Sequence, residues 1–280
     1  MTYEEMWRRL SVVYGQGEAK ALSRMLLEEK FGLSLADIIC GGVEQLSASD
    51  TRWLVEALAR MEGCEPIQYV LGESWFCGNR FAVGEGVLIP RPETEWLVNR
   101  AAAIAGGSGA GLRLLDIGTG SGCIAVSLKL LLPEAYVEAW DISAEALDIA
   151  RANARRLSAD VEFSQCDALS IAADSRRWDV IVSNPPYICD SERADMAANV
   201  LDHEPSSALF VPDDNPLLFY RAIAGYASAS LVGGGSLLFE CNTRYAAATA
   251  DMLRSSGFAA ASVADDCFGK PRFVEASTFI

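Results

Sequence analysis

The chain opens with amphipathic segments. YEEMWRRLSVVYG, EAKALSRMLLEEKFG and SASDTRWLVEALARMEG place apolar residues three and four positions apart, with charged residues between them. This spacing predicts α-helices with one buried face. In the third segment Ser49 or Asp50 is the expected N-cap and Gly63 the expected end. Residues 1–74 are therefore predicted to form a small helical domain.

The pattern changes at residues 75–90, WFCGNRFAVGEGVLIP. Aromatic and β-branched residues alternate around Gly78-Asn79 and Gly84, which predicts a β-hairpin linker. The stretch AIAGGSGAG at 103–111 has the composition of a flexible link, with its first alanines belonging to a helix.

From residue 113 strand and helix patterns alternate. LRLLDIG, AYVEAWDIS, VEFSQCDA, RWDVIVS and GGSLLFE read as strands, and GCIAVSLKLL, AEALDIARANARRLS, PLLFYRAIAGYASASL and YAAATADMLRSSG read as helices. This order predicts an α/β domain over 91–280, with a parallel sheet covered by helices on both faces. The strands AASVADD and RFVEASTF are joined by CFGKP without a helix, so the last strand is expected to run antiparallel.

Composition narrows the class of protein. Of the 280 residues 51% are hydrophobic, yet no apolar run approaches the roughly 18 residues that span a bilayer. The charged N-terminus lacks the apolar core of a signal peptide, so we expect a soluble cytoplasmic protein without a membrane partner. The eight cysteines show no C-x-x-C spacing, and the single histidine, His203, excludes a multi-histidine metal site. The net charge of −15 weighs against broad nucleic-acid binding.

A glycine-rich loop, DIGTGSG at 116–122, follows the first strand of the alternating region and opens a helix. Small residues let the backbone approach a ligand, and a helix N-terminus offers free N–H groups. The alternative is an ordinary strand–helix turn. The predicted cofactor loop consists of Gly118, Thr119, Gly120, Ser121 and Gly122.

Two carboxylates follow at later strand ends. Asp141 lies 25 residues after Asp116, where dinucleotide-binding folds bond the ribose hydroxyls. Its alternative role is an N-cap, which Ser143 could fill instead. Asp167 ends the next strand and could accept from an adenine amino group, or it could be a solvated strand-end aspartate. The set indicates an adenosine-bearing cofactor without separating a nicotinamide dinucleotide from S-adenosylmethionine.

The motif VIVSNPPYIC ends a buried strand with Asn184, Pro185, Pro186 and Tyr187. Two prolines cannot extend a central strand, and Pro185 pushes Asn184 into an extended conformation. The Asn184 side-chain oxygen and the Pro185 carbonyl can then accept both N–H bonds of a planar NH₂ group, on which the Tyr187 ring can stack. The same acceptors favour the growing positive charge on an attacked nitrogen. The alternative is a turn or a polyproline-like bend.

Longer stretches make the sequence similar to known enzymes. DIGTGSGCIAVSL followed by NPPY resembles the amino-methylating S-adenosylmethionine-dependent methyltransferases. EPIQYVLGESWFCGNRFAV, VLIPRPETEWLV, HEPSSALF and DDCFGKPRFVEA resemble the peptide chain release factor glutamine methyltransferases over nearly the whole chain. The chain departs from the usual family pattern at 211–214, at 241–245 and at Ala168.

The resemblance implies a Rossmann-like class I methyltransferase fold and S-adenosylmethionine as the cofactor. It implies that the substrate is the glutamine in the Gly-Gly-Gln loop of release factors. Residues 1–74 would recognise that protein, and Asn184 to Tyr187 would hold the glutamine. Thr94 and Glu95 would line the cofactor side of the cleft, although Arg91 and Glu95 could instead form a structural salt bridge.

Three other readings compete with this one. Methylation of an exocyclic amine of adenine or guanine in nucleic acid would use the same motif, but the acidic charge counts against it. A nicotinamide-dependent oxidoreductase would explain the glycine loop and Asp141 but not NPPY. A catalytically silent cofactor-binding protein is the third. His203 is not expected to act as a base, because transfer from a sulfonium needs no proton removed beforehand.

Overall fold

The structure is a computed structural model that describes residues 1–106, 110–172 and 174–279. Part of the flexible link expected at 103–111 therefore lies outside the described residues. The chain divides into two compact units, Met1–Ser74 with Met196–His203, and Trp75–Asp195 with Glu204–Ile280.

The first unit is helical. Its helices are α1 (Tyr3–Leu10), α2 (Gln16–Phe31), α3 (Leu35–Ile39), α4 (Ala48–Glu62) and α5 (Ile67–Leu71). The apolar faces predicted from the sequence meet in one core that includes Met6, Leu26, Leu58 and Met61. The expected N-cap of α4 at Ser49 or Asp50 was wrong, because the Ser47 side chain accepts from the Asp50 N–H and starts the helix earlier.

The hairpin also starts earlier than its pattern indicated. Its strands are β1 (Glu73–Phe76) and β2 (Asn79–Ala82), and residues 83–90 form no strand. The turn places Cys77 and Gly78 at φ 47° and 72°. Positive φ at both turn residues suits the twist of a two-residue hairpin loop.

The second unit contains a mixed sheet, formed by seven strands in the described part of the chain. Their order across the sheet is β10-β11-β9-β6-β3-β4-β5. The strands β3, β4, β5, β6 and β9 run parallel, and β11 runs antiparallel to both β9 and β10, as the short final connection predicted. The bounds are β3 (Arg113–Ile117), β4 (Tyr136–Asp141), β5 (Glu162–Gln165), β6 (Trp178–Ser183), β9 (Leu231–Glu240), β10 (Ala260–Asp265) and β11 (Pro271–Ser277).

Helices cover both faces of this sheet. Their bounds are α6 (Glu95–Ala105), α7 (Cys123–Leu131), α8 (Ala144–Arg156), α11 (Leu218–Ser230) and α12 (Ala246–Ser255). Side chains alternate between two cores: Leu114 and Val182 pack with α6 and α7, whereas Leu115 and Ile181 pack with α11 and α12. This is the class I methyltransferase fold that the resemblance implied.

Short elements that the sequence did not predict connect β6 to α11. They are β7 (Ile188–Cys189), α9 (Ala198–His203), α10 (Ser206–Leu209) and β8 (Phe210–Val211). The strands β7 and β8 pair in parallel. Among the described residues, no helix combines the length and the apolar character needed to cross a membrane.

Candidate active site

A cavity of about 280 Å³ opens at the carboxyl ends of β3, β4 and β6. Ligands of open α/β sheets bind at this edge. The structure brings most of the predicted site residues to its wall: Thr94, Gly118, Thr119, Gly120, Ser121, Asp141, Asp167, Asn184, Pro185 and Pro186. Three other predicted site residues, Gly122, Glu95 and Tyr187, are not among the described residues that line the cavity.

The glycine loop is tied to the end of β4 by backbone hydrogen bonds. The N–H groups of Gly118 and Thr119 donate to the Trp140 carbonyl at 2.8 and 2.9 Å. The Gly120 N–H donates to Asp141 Oδ2 at 2.8 Å. These bonds set the path of the loop from within the protein, so its small residues face the cavity in one arrangement.

Gly122 contributes to the site by packing. It has φ +80°, and an added Cβ would lie 3.0 Å from the Ala150 Cβ on α8. The adjacent Ser121 carbonyl accepts from Asn153 Nδ2 at 2.9 Å. Asn153 also bonds both backbone groups of Ala82 on β2. The absence of a side chain at Gly122 therefore lets the loop and α8 approach each other closely.

Asp141 uses both carboxylate oxygens on the backbone. Oδ2 accepts from Gly120, and Oδ1 accepts from the Ser143 N–H at 2.9 Å. The N-cap of α8 is Ser143, whose side chain accepts from the Ala146 N–H. The alternative capping role of Asp141 is thus filled by Ser143, as the sequence allowed.

Asp167 lies in a tight turn on the cavity wall. Its Oδ1 accepts from the Leu169 N–H at 2.8 Å, and its Oδ2 accepts from the Ser170 hydroxyl at 3.1 Å. Ala168 also lines the cavity. The carboxylate is therefore oriented by its own turn.

A further carboxylate, Asp116, is fully buried below the loop. Burial is the main cause that raises its pKa to about 7; the neighbouring Asp141 charge acts in the same direction, and hydrogen bonds from Thr119 and the Ala125 backbone act against it. Thr119 Oγ1 donates to Asp116 Oδ2 at 2.6 Å. This bond fixes the loop from the core side, opposite to Asp141.

The Asn-Pro-Pro-Tyr motif leaves β6 at the cavity. Ser183, the last residue of β6, is buried and donates its hydroxyl to the Ile117 carbonyl at 2.6 Å. Asn184, Pro185 and Pro186 then line the cavity. The Tyr187 N–H donates to the Leu209 carbonyl at 3.2 Å, so both sides of the motif are anchored.

Polar side chains behind this motif form a chain of hydrogen bonds. Asn184 Nδ2 donates to Thr94 Oγ1 at 3.4 Å, and Thr94 Oγ1 donates to Glu240 Oε2 at 2.7 Å. The Tyr187 hydroxyl donates to Glu240 Oε1 at 3.1 Å. Burial raises the pKa of the Tyr187 phenol, and the nearby Glu240 carboxylate raises it further.

Glu95 and Arg91 make separate contacts. The Glu95 carboxylate accepts from the Cys77 N–H at 2.8 Å, away from the cavity. Arg91 lines the cavity and pairs with the buried Glu204 at 2.5 Å. Glu204 also accepts from the Ile89 N–H at 3.1 Å. The suggested Arg91–Glu95 salt bridge was therefore wrong, because each residue has another partner.

His203 belongs to the helical unit. Its Nε2 lies 3.2 Å from the Gly63 carbonyl, to which it donates. It is not among the described residues that line the cavity.

Two family models match this chain. A family model described as the PrmC N-terminal domain matches residues 8–72, and one described as the methyltransferase small domain matches 94–209. A release factor glutamine methyltransferase of Bacteroides thetaiotaomicron is 46% identical over 96% of this chain and 96% of its own. The chain belongs to the release factor glutamine methyltransferase family.

A second relative carries the same family name. The release factor glutamine methyltransferase of Flavobacterium psychrophilum is 36% identical over 95% of this chain and 94% of its own length. A solved T. thermophilus 16S rRNA methyltransferase in complex with AdoMet and guanosine has a TM-score of 0.54 at 17% identity. The match covers 74% of this chain and 49% of the solved chain. At this identity the likeness shows the fold alone.

The sequence analysis did not identify three residues whose side chains hold the site of this family member in place: Glu240, Asn153 and Asn242. Asn242 Nδ2 donates to the Tyr187 carbonyl at 3.2 Å. Glu240 had a usable signal, because it ends the buried strand GGSLLFE as Asp141 ends β4. No sequence pattern marked Asn153 or Asn242, because the residues that they bond lie far away along the chain.

Proposed function

We propose that this chain transfers a methyl group from S-adenosylmethionine to the side-chain amide nitrogen of the glutamine in the Gly-Gly-Gln loop of peptide chain release factors. Family membership over nearly the whole chain supports the reaction. One observation carries the proposal: Asn184, Pro185 and Pro186 line the same cavity as the glycine loop and Asp141.

The residues of the cavity fit the cofactor. Asp141 would accept from the ribose hydroxyls, and Asp167 from the adenine amino group. Ser121 Oγ is buried without a hydrogen-bond partner among the described residues, so the loop retains an unused polar atom at the cavity. S-adenosylmethionine supplies, when bound, an electrophilic methyl group on a sulfonium.

The acceptor half of the cavity suits an amide. A glutamine nitrogen is a poor nucleophile because its lone pair is delocalised, and it carries two N–H donors in one plane. Asn184 Oδ1 and the Pro185 carbonyl would accept these two bonds. Both oxygens also stabilise the positive charge that grows on the nitrogen during transfer, which lowers the barrier more than it tightens binding.

Tyr187 would complete the acceptor site by offering its ring to the planar amide. The hydroxyl of this side chain is already bonded to Glu240, so the ring is held from its far end. The proton leaves the nitrogen late, after positive charge has formed, and no side chain needs to remove it in advance. His203 accordingly has no part in the proposed reaction.

The helical unit would recognise the protein substrate. Residues 1–80 carry a net charge of −4 without a basic cluster, which suits docking to a protein better than docking to phosphates. We therefore expect the release factor to be bound without direct nucleic-acid contact. Since release factors act in translation, we expect the enzyme to work in the cytoplasm.

Peptide mapping tests this function. The purified chain is incubated with isotopically labelled S-adenosylmethionine and an intact bacterial release factor, and the digested factor is analysed by mass spectrometry. We expect one methyl group on the glutamine of the Gly-Gly-Gln loop. An unmodified loop, with the enzyme folded and the cofactor bound, would contradict the proposal.

A further inference from the structure

A buried carboxylate lies behind the acceptor site. Glu240 ends β9, is 1% exposed, and forms no ion pair with a cation within 1–106, 110–172 and 174–279. Arg272, whose charge lowers the pKa of Glu240, pairs with Asp266 instead. Each Glu240 oxygen accepts a hydrogen bond from a hydroxyl group, one from that of Thr94 and one from that of Tyr187. Two neutral donors therefore stabilise this carboxylate.

The direction of these bonds restricts Thr94. A threonine hydroxyl has one hydrogen to donate and lone pairs that accept. Burial raises the pKa of Glu240, and the hydroxyl groups of Thr94 and Tyr187 and the charge of Arg272 lower it again. In the ionised state Glu240 has no hydrogen, so Thr94 donates to it and can only accept from its other neighbour. That neighbour is the Asn184 side chain, whose NH₂ end must then face Thr94.

This restriction decides which end of Asn184 remains for the substrate. The two ends of an asparagine amide have nearly the same shape but opposite hydrogen-bonding character. With Nδ2 bonded to Thr94, Oδ1 is left without a hydrogen bond from any residue that the structure describes. An acceptor oxygen is the group that a substrate NH₂ requires.

We propose that Glu240 is a positioning residue that acts through Thr94 to keep Asn184 in the orientation that presents Oδ1 to the acceptor nitrogen. This inference rests on the proposed function, because it concerns the acceptor side of the same site. Thr94 then serves the acceptor half of the cavity as the link between Glu240 and Asn184. The Tyr187 hydroxyl donates to the same side chain, so one buried carboxyl group orients both Asn184 and Tyr187.

The contacts argue against a purely structural role. A buried carboxylate is costly, and an apolar side chain of similar size would pack at the end of β9 without that cost. The side-chain bonds that Glu240 accepts come from Thr94, which lines the cavity, and from Tyr187 of the Asn-Pro-Pro-Tyr motif. Its loss should therefore change catalysis more than it changes the fold.

Two substitutions test the inference. Glu240→Gln introduces an NH₂ donor, which lets Thr94 turn and donate to Asn184 Oδ1. Thr94→Val keeps the shape of the side chain but removes its hydroxyl. We expect each to lower kcat for release-factor methylation by about tenfold to a hundredfold, the usual effect of losing one such interaction. The dissociation constant for S-adenosylmethionine should change by less than about threefold.

Rescue and control variants separate positioning from packing. Thr94→Ser restores a hydroxyl and should recover most of the rate that Thr94→Val loses. Thr278→Val removes a remote threonine hydroxyl, one that donates to the Val232 carbonyl at 2.7 Å, and should leave kcat unchanged. If Glu240→Gln does not fold, Thr94→Val and its rescue carry the test.

The outcomes are distinct. A wild-type enzyme that does not methylate the release factor would overturn the proposed function. Normal wild-type methylation together with unchanged kcat in Thr94→Val would overturn the positioning role alone. A loss of cofactor affinity that matches the loss of kcat would assign Thr94 to the cofactor and also overturn it.

Discussion

Replacement of Asp141 should weaken cofactor binding, and the structure indicates two routes by which it does so. The carboxylate accepts from the Gly120 N–H at 2.8 Å and from the Ser143 N–H at 2.9 Å. In the proposed complex it also accepts from the ribose. Asp141→Ala therefore removes a ligand contact and one of the bonds that hold the glycine loop.

The size of the effect follows from the bond type. A hydrogen bond to a charged group contributes about 1.5–3 kcal/mol, which corresponds to roughly 10- to 150-fold in the dissociation constant. Loosening of the loop at Gly120 adds to this loss, because the loop must be ordered on binding. Asp141→Asn keeps one oxygen acceptor without the charge, so its affinity should fall between those of the wild type and Asp141→Ala.

Calorimetric titration with S-adenosylmethionine measures this effect. The matched control is Asp148→Ala on α8, where the exposed carboxylate forms a surface pair with Arg151 at 3.2 Å. Its affinity should equal that of the wild type. Unchanged affinity in a folded Asp141→Ala variant would refute the assignment of Asp141 to the ribose.

Three further predictions concern Asn184 of the Asn-Pro-Pro-Tyr motif, Gly122 of the glycine loop and the buried carboxylate Asp116. Asn184→Ala should lower the single-turnover methylation rate by about 10²- to 10³-fold with little change in cofactor affinity; a near-normal rate would contradict the acceptor role. Gly122→Ala should reduce the free energy of unfolding by about 2–4 kcal/mol, since it adds a 3.0 Å contact with Ala150 to the strain of a positive φ. Gly120→Ala, with φ +54° and open space, should lose only about 1–2 kcal/mol, and equal losses in urea unfolding would rule out the packing argument. Because the pKa of Asp116 is raised from 3.8 to about 7 in the folded state, stability should fall by up to about 4 kcal/mol as pH rises from about 4 to 7. Asp116→Asn should reduce that slope, and an unchanged pH dependence of urea unfolding would refute it.

Local patterns predicted much of the fold and part of the site. Alternation of apolar residues identified the strands, and breaks in that alternation identified their carboxyl ends. Because parallel strands align these ends at one edge, the sequence alone indicated that the glycine loop, Asp141 and Asn184 would meet. The structure places them around one cavity.

Contacts between distant segments were beyond this reasoning. Thr94 and Glu240 are 146 residues apart, and their bond depends on β9 lying beside β6 and on the placement of the turn before α6. No periodicity encodes that arrangement. The position of Tyr187 shows the same limit: its ring was expected at the substrate, while the bond of its hydroxyl to Glu240 could be seen only in three dimensions.

The central claim is the identity of the acceptor, and a direct comparison of methylation rates tests it. The enzyme is given an intact release factor, its Gln→Glu variant in the Gly-Gly-Gln loop, a short peptide of that loop, DNA and RNA. We expect rapid methylation of the intact factor and much slower methylation of the peptide, which cannot reach the helical unit. The Gln→Glu variant should not react at that position, because a carboxylate has no N–H donors for Asn184 and Pro185. Methyl transfer to DNA or RNA with none to the release factor would contradict the account.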